Sequence, residues 1–392
     1  MEKVDLVVVG GGPAGITCAL AALQADPTLA ERMVVLEKAT YPREKPCAGG
    51  LGGRGDAILR ALEACPDVPS VTVRGMELVT GEGRVTAVLD EPIGRVIRRI
   101  EFDAELARLA KDRGVRVLEE ARVEAVSKVE GGARVESARG AFEAKLVIGA
   151  DGVGSQVRKA MGLAAGSLKA QVLELDTEGV DGDPPRHVLR FDASDRSLPG
   201  YTWDFPTVVG GEELVCRGIY HLRMADEQVD IQAKMRDRLA QMGLDLSKYK
   251  NKRFAERGLD PTDRLSDGPM MLCGEAAGID PVTGEGIAQA IEYGSMAGPF
   301  AANVLTGEAR TSDWTARVLS SRLGRDLRIR TRMVRDFFGP RRAEVEALLV
   351  ASVAPVRSGC RHFGALPHDV GDLLRTGARL GGYFARGALR RD

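Results

Sequence analysis

Val4-Asp5-Leu6-Val7-Val8-Val9-Gly10-Gly11-Gly12-Pro13-Ala14-Gly15 decides the fold. Its first six residues are a nearly continuous apolar run, as a buried parallel strand requires. The glycine turn leads into Ile16-Thr17-Cys18-Ala19-Leu20-Ala21-Ala22-Leu23, which reads as a helix. Met33-Val34-Val35-Leu36 is a second apolar run and ends on Glu37. The order is strand, Gly-x-Gly-x-x-Gly, helix, strand, acid. Gly10 permits the tight turn, Gly12 lets the backbone approach a pyrophosphate, and Gly15 lets helix and strand pack closely. The pyrophosphate then lies on free N–H groups at the positive end of the helix. Glu37 follows Gly15 by 22 residues, where a carboxylate accepts from ribose hydroxyls. An acid there argues against a 2′-phosphate, so the ligand is FAD or NAD rather than NADP. A glycine-rich surface turn explains neither the glycine spacing nor Glu37.

Length and charge narrow the rest. A chain of 392 residues implies two to three structural units. Net charge is −1, so no global field recommends nucleic acid as a partner. Six cysteines contain no Cys-x-x-Cys pair, which speaks against a disulfide framework and structural zinc and suits a reducing compartment. The four histidines form no metal-spaced cluster. Met1-Glu2-Lys3 leads straight into the first strand, and no signal peptide is expected. No apolar run approaches the ~20 residues of a membrane-spanning helix. A cytoplasmic protein is expected.

Residues 39–54 contain Pro42, Pro46 and four glycines, a composition that predicts an irregular active-site loop holding Cys47. Cys47 is either a small buried thiol or a group facing the reacting ligand. Residues 71–80, 84–89 and 94–100 read as strands, 102–110 as a helix, and 115–129 as strand again. Arg99 stands just ahead of that helix, within reach of phosphates or a bound ring, or is an ordinary surface arginine. Leu146-Val147-Ile148-Gly149-Ala150-Asp151-Gly152 is another strand and turn. Asp151 falls at a strand's C-terminal edge, where open α/β sheets bind ligands. Residues 168–220 read as antiparallel sheet and 229–242 as a covering helix. Within that sheet Tyr201, Trp203 and Phe205 alternate, so they share one face, a sheet core or the wall of an apolar pocket. Residues 270–287 are strand, turn and glycine loop, followed by a small-residue helix over 288–305. N–H groups at Gly284, Glu285 and Gly286, with the helix dipole behind them, suit an anionic ring edge.

From Arg310 onward the chain holds 17 arginines, no lysine and 8 acids, a net of +9. The preceding residues therefore carry about −10. Residues 369–391 mix apolar and basic positions at helical spacing. This segment is either an amphipathic helix on an anionic bilayer or a solvated helix docked on the domain.

Residues 10–15 with Glu37, residues 149–158 and residues 273–286 resemble the three FAD fingerprints of p-hydroxybenzoate-hydroxylase-fold flavoproteins. The match extends over most of the first 305 residues. It implies non-covalent FAD rather than NAD. It places Pro13, Ala14 and Lys38 beside the first fingerprint and Asp151 near the pyrophosphate and nicotinamide. Arg99 matches the arginine three residues ahead of the Phe102-Asp103 pair. Gly274 and Glu275 fall at the ribityl chain, where the family usually has aspartate, one methylene shorter than glutamate.

Two more segments resemble geranylgeranyl reductases. Lys45-Pro46-Cys47-Ala48-Gly49-Gly50-Leu51 is similar to their Lys-x-Cys-Gly-Gly-Gly segment, with Ala48 in place of a glycine. Gly200-Tyr201-Thr202-Trp203-Asp204-Phe205-Pro206 is similar to their Gly-Tyr-x-Trp-x-Phe-Pro strand. Pro281, Val282, Thr283, Gly284, Glu285, Gly286 and Ile287 resemble their flavin loop. Related halogenases carry Trp-x-Trp-x-Ile-Pro, from which Tyr201 and Phe205 depart.

The resemblance implies an α/β (α+β) protein: a Rossmann-type FAD-binding domain (1–70, 94–165, 260–309), an antiparallel-sheet substrate domain (71–93, 166–259) and a helical basic C-terminal region (310–392). It implies reduction of carbon–carbon double bonds in an isoprenoid or other apolar substrate, with NAD(P)H or another reductant as transient donor. Cys47, Tyr201 and Trp203 are the expected catalytic residues, and Cys47 and Ala48 also contact the flavin. Cys47 or an ordered water is the candidate proton donor. A flavin monooxygenase or halogenase uses the same fold, and a maturation factor acting on a protein partner is a further reading.

Overall fold

The computed structural model describes residues 1–164, 166–224 and 229–378. Its first sheet is built around Glu2–Val9, every residue of which from Val4 onward is buried. Glu2–Val9 pairs in parallel with Met33–Leu36 on one side and Gly140–Gly149 on the other. Met270–Leu272 and Val117–Leu118 extend the parallel order outward. The strand order therefore reverses at Glu2–Val9, which opens a crevice at the carboxyl ends of the strands.

Helix Pro13–Ala25 starts at that crevice with Pro13 at its first position and Gly12 as its cap. Helix Ile287–Thr306 lies directly against it. The approach is backbone to backbone: a β-carbon on Gly298 would collide with Ala22 N and Cys18 O.

The second sheet has seven strands, in the order Lys252–Arg257, Lys169–Thr177, Glu212–Arg223, Gly200–Val209, Val188–Asp192, Gly75–Thr80 and Gly83–Val88. All its pairings are antiparallel except Val188–Asp192 with Gly75–Thr80. Alternation divides its faces. Leu173, Leu175 and Ile219 pack under helix Ile231–Gln241, and Val172, Tyr201, Trp203 and Tyr220 point to the opposite side.

Three sequence expectations need correction. Residues 71–80 are not one strand. Arg74 N and Gly75 N both donate to His187 O, at 2.8 and 3.1 Å, so the chain changes sheets there. Ser70–Val73 joins a three-stranded sheet with Gly94–Ile97 and Gly50–Gly52, and only Gly75–Thr80 enters the large one. Residues 115–129 likewise break into Val117–Leu118 and Val123–Val129 around Glu120, whose φ is 56°. The end of the glycine-rich loop is regular after all, since Gly50–Gly52 pairs with Gly94–Ile97 and helix Gly53–Ala61 follows.

The C-terminal region is helical: Trp314–Ser320, Arg322–Phe338, Arg342–Val350 and Ala354–Phe363, with residues 370–378 helical beyond them. It docks on the glycine-rich loop, where a β-carbon on Gly52 would come within 2.5 Å of Phe363 O. The 369–391 amphipathic segment lies partly outside the described residues. Among those described, no helix is long and apolar enough to cross a membrane.

Gly298→Val tests the helix contact. Overpacking at a backbone approach costs about 1–3 kcal/mol, read as a lower midpoint in urea unfolding. An unchanged midpoint would show that the two helices are not in tight contact.

Candidate active site

Three turns separated by more than a hundred residues each meet at the crevice. A β-carbon on Gly10, whose φ is +104°, would collide with Ala150 O of the second turn. One on Gly274 would lie 2.7 Å from the Ala14 β-carbon of the first. One on Gly152 would lie 3.5 Å from Glu275 Oε2 of the third. Gly12 differs from these: nothing stands closer to its absent β-carbon than Arg43 Nη2 at 3.8 Å and Arg99 Nη2 at 4.0 Å. Its cap position carries no side-chain hydrogen bond either. Open space, free N–H groups and two guanidinium groups converge where a pyrophosphate would lie.

Asp103 positions both arginines. It takes Arg99 through two bonds of 2.6 and 2.7 Å and holds Arg43 at 3.1 Å. Burial works against the Arg99 charge, but Asp103 outweighs it and keeps the guanidinium pKa above its ordinary value. Arg99 is the first residue of helix Arg99–Asp112, not a residue ahead of it. Glu37 is buried and accepts from Gly11 N at 2.9 Å and Ala39 N at 3.0 Å, while the neighbouring Lys38 is exposed.

Two carboxylate oxygens at this crevice, Asp151 Oδ1 and Glu275 Oε1, are buried with no protein partner. The other oxygen of Asp151 accepts from Gln156 N at 2.6 Å. Burial raises the Asp151 pKa, against hydrogen bonds from Ser155 and Gln156. Buried acceptors require donors, and ribityl and ribose hydroxyls are donors. The residues present therefore fit FAD. Arg158, at the end of the second fingerprint, is structural: it is tied to Asp263 at 2.5 Å and Ala164 O at 2.8 Å.

Beyond the crevice, the 281–287 loop and the large sheet enclose a cavity of about 630 Å³. Cys47, Ala48, Gly284, Glu285, Gly286 and Ile287 form its floor. Gly286 caps helix Ile287–Thr306 without a side-chain bond, which leaves that helix terminus free for a ligand. The sheet wall is aromatic: Phe191, Tyr201, Trp203, Phe205, Tyr220 and Phe254. Tyr201 and Tyr220 stack at 5.3 Å. Their hydroxyls donate to Thr283 O and, at 2.9 Å, to Pro281 O, so they fasten the loop to the sheet. Asp280 fastens it from below, accepting from Val282 N at 2.8 Å and pairing with Arg330.

The structure thus brings Tyr201, Trp203 and Cys47 together in one cavity. The Cys47 N–H donates to Glu174 Oε1 at 2.9 Å. Burial pushes the Cys47 thiol up, with Arg99 opposing. Burial also lifts Glu174 and Glu285 to about 7.

Sequence reading missed Arg43, Glu174, Glu256 and the outer wall. That wall is the C-terminal region: Ile329, Met333, Phe337, Val345, Val356 and Phe363 close the cavity. In the sequence, residues 310–392 read only as a helical basic region. The signal available was the apolar spacing Ile329-x-x-x-Met333-x-x-x-Phe337, one helical stripe.

Gly12→Val is expected to abolish FAD binding and leave the fold, because the new side chain fills the one open position in the turn. Flavin released on denaturation, against an unchanged circular dichroism spectrum, reads both. Wild-type retention would put the ligand elsewhere.

Comparison with known proteins agrees with this geometry. A menaquinone reductase of Mycobacterium tuberculosis is 28% identical over 364 residues, covering 85% of this chain and 83% of its own. Digeranylgeranylglycerophospholipid reductase 2 of Methanothermobacter thermautotrophicus is 28% identical over 331 residues, covering 77% and 79%. The crystal structure of a geranylgeranyl bacteriochlorophyll reductase-like protein from Thermoplasma acidophilum has the same fold, with a TM-score of 0.70 at 21% identity over 96% of each chain. The FAD binding domain family matches residues 3–315. With its glycine cradle, paired arginines and unpartnered carboxylate oxygens, the chain belongs to the FAD binding domain family and is a FAD-dependent oxidoreductase.

Proposed function

We propose that this oxidoreductase saturates carbon–carbon double bonds of an isoprenoid or similarly apolar substrate. The observation that carries the reading is the cavity itself: an aromatic and aliphatic wall continuous with the free helix terminus at Gly286. Reduced FAD supplies a hydride equivalent, and NAD(P)H or another reductant replenishes it. The chain's own groups do the rest. Gly284, Glu285 and Gly286 present N–H groups to the ring edge. Trp203, which is 3% exposed, and its aromatic neighbours pack along the substrate and exclude water. Tyr201 positions the loop through Thr283, and Cys47 and Ala48 flank the reacting centre. The two reductase relatives favour this reading over a monooxygenase, which fold alone does not separate.

We further propose that the protein meets its substrate at a membrane surface. Ile329 lines the cavity and is 54% exposed, which marks the mouth. Val370, Leu373 and Leu374 are exposed in the following helical segment, and Arg325, Arg332 and Arg335 are exposed on Arg322–Phe338. Apolar and basic groups side by side suit an anionic leaflet, with each cation contributing about 1 kcal/mol.

Anaerobic mixing of the reduced protein with geranylgeranyl diphosphate tests the chemistry. Flavin reoxidation without oxygen, and a product heavier by one hydrogen pair per double bond, are expected. Flavin that stays reduced until oxygen is admitted, with an oxygenated or halogenated product, sinks the reading. Co-purification with a stable protein partner would favour a maturation factor. Trp203→Ala should weaken binding by about 1–3 kcal/mol through lost buried area. Cys47→Ser should slow turnover more than it slows reduction by dithionite. For the membrane contact, salt-sensitive co-sedimentation with anionic vesicles should disappear on deleting residues 366–392; no sedimentation at low salt rules it out.

A further inference from the structure

Saturating a double bond adds a hydride equivalent to one carbon and a proton to the other. An isolated alkene carries no group that stabilises a carbanion, so the proton must arrive in concert or first. The hydroxyls of Tyr201 and Tyr220 already donate to loop carbonyls. We propose, resting on the reductase reading, that the proton comes from the carboxyl group of Glu256.

Glu256 lies on Lys252–Arg257, opposite Ala170, and lines the cavity beside Phe254. It reaches the floor, since a β-carbon on Gly284 would lie 2.7 Å from its Oε2 and 3.0 Å from the Tyr220 ring. That oxygen is buried without a partner, and no ion pair of Glu256 occurs among the described residues. The other acids that line the cavity each face a cation. Glu77 is paired with Arg190, Asp326 stands 3.8 Å from Arg322, Glu346 is bound to Arg342 at 2.6 Å, and Glu285 stands 4.0 Å from Arg330. Behind the wall, Glu174 accepts from Cys47 N and Asp280 is paired with Arg330. Among the acids lining the cavity, Glu256 alone has no ion pair within the described residues, and its unpartnered oxygen stands next to the flavin loop.

Its surroundings keep it protonated. Burial is the main cause, Glu275, Glu174 and Asp280 add to it, and Lys45 opposes them; together they raise the carboxyl well above the usual carboxylate range. Lys45 Nζ is engaged over the Phe254 ring, 5.4 Å from its centroid. In the step, the Glu256 O–H bond breaks and a C–H bond forms at one alkene carbon. The π pair supplies the electrons of that bond, and the hydride equivalent from reduced flavin supplies those of the other. Flavin is left oxidised and Glu256 as a carboxylate, which then takes a proton from water.

Glu256→Gln keeps the shape and removes the proton. Flavin content and dithionite reduction should match wild type, while anaerobic reoxidation by geranylgeranyl diphosphate slows by about 100-fold or more. Glu256→Asp, which restores an acid, should recover part of the rate. A second readout does not need turnover: at neutral pH the wild-type minus Glu256→Gln infrared difference spectrum should retain the carbonyl band of a protonated carboxyl, since the bands of Glu174 and Glu285 are common to both and cancel. Reoxidation of Glu256→Gln at about the wild-type rate, or no such band in the difference spectrum, overturns the proposal. If wild-type protein itself is not reoxidised by the prenyl lipid, the reductase reading fails and takes the donor role with it. A normal wild type and an unaffected variant remove the donor role alone.

Discussion

A β-carbon at Gly10 would collide with the carbonyl oxygen of Ala150, and one at Gly15 with that of Gly10 itself. These two approaches fix where the strand, the helix and the second turn stand relative to one another. Helix Pro13–Ala25 can then leave the sheet at an angle that keeps its first N–H groups open. The Gly274 turn packs on Ala14, and helix Ile287–Thr306 is thereby laid along Pro13–Ala25. The free end of that second helix becomes the floor of the cavity. One crowded turn thus sets both the pyrophosphate cradle and the ring site.

The parts legible in the sequence were those in which residue type at fixed spacing encodes a backbone requirement. Glycines 10, 12 and 15 do this, and the structure separates their duties, with Gly10 and Gly15 crowded and Gly12 open. Period two placed Tyr201, Trp203 and Phe205 on one face. It did not decide between core and pocket, and the structure makes them both: they are buried, and they line the cavity. Glu256 left no such trace. Lys-Arg-Phe-Ala-Glu-Arg reads as a polar edge strand, and only its pairing with Lys169–Thr177 turns the carboxyl inward. Arg43 was hidden in a loop whose glycines drew attention to ligand contact. Two of those glycines, Gly52 and Gly53, instead make room for the backbone at Phe363 and Gly364.

The C-terminal region shows why composition alone misleads. Its net charge of +9 stands against about −10 in the rest of the chain. Most of its ion pairs are local, such as Arg342 with Glu346 at 2.6 Å and Arg357 with Asp372 at 2.5 Å. Local pairs stabilise and orient helices without attaching them to the domain. Attachment comes from Arg330 on Asp280, from Arg342, which besides its local pair donates to Leu198 O at 2.5 Å, from Trp314 Nε1 on Leu272 O at 2.8 Å, and from apolar residues facing the cavity. The same helices then leave arginines on their outer face. One segment therefore closes the cavity on one side and presents cations on the other.

Carboxyl groups beside an apolar cavity are costly to stability unless they are neutral or paired. Four stand around Cys47 and the flavin loop, and they are treated differently. Asp280 is satisfied by N–H, hydroxyl and guanidinium donors. Glu174 accepts one backbone bond, and Glu285 has a distant cation. Glu256 has neither. Local rules of folding would replace such a residue with an apolar one, and violations of those rules concentrate at functional sites. The aromatic neighbours make the arrangement tolerable, because they hold the loop through their hydroxyls and surround the acid with apolar surface. A dry wall and a retained proton are therefore one design: the packing that accommodates an alkene is the packing that keeps a carboxylic acid neutral beside it.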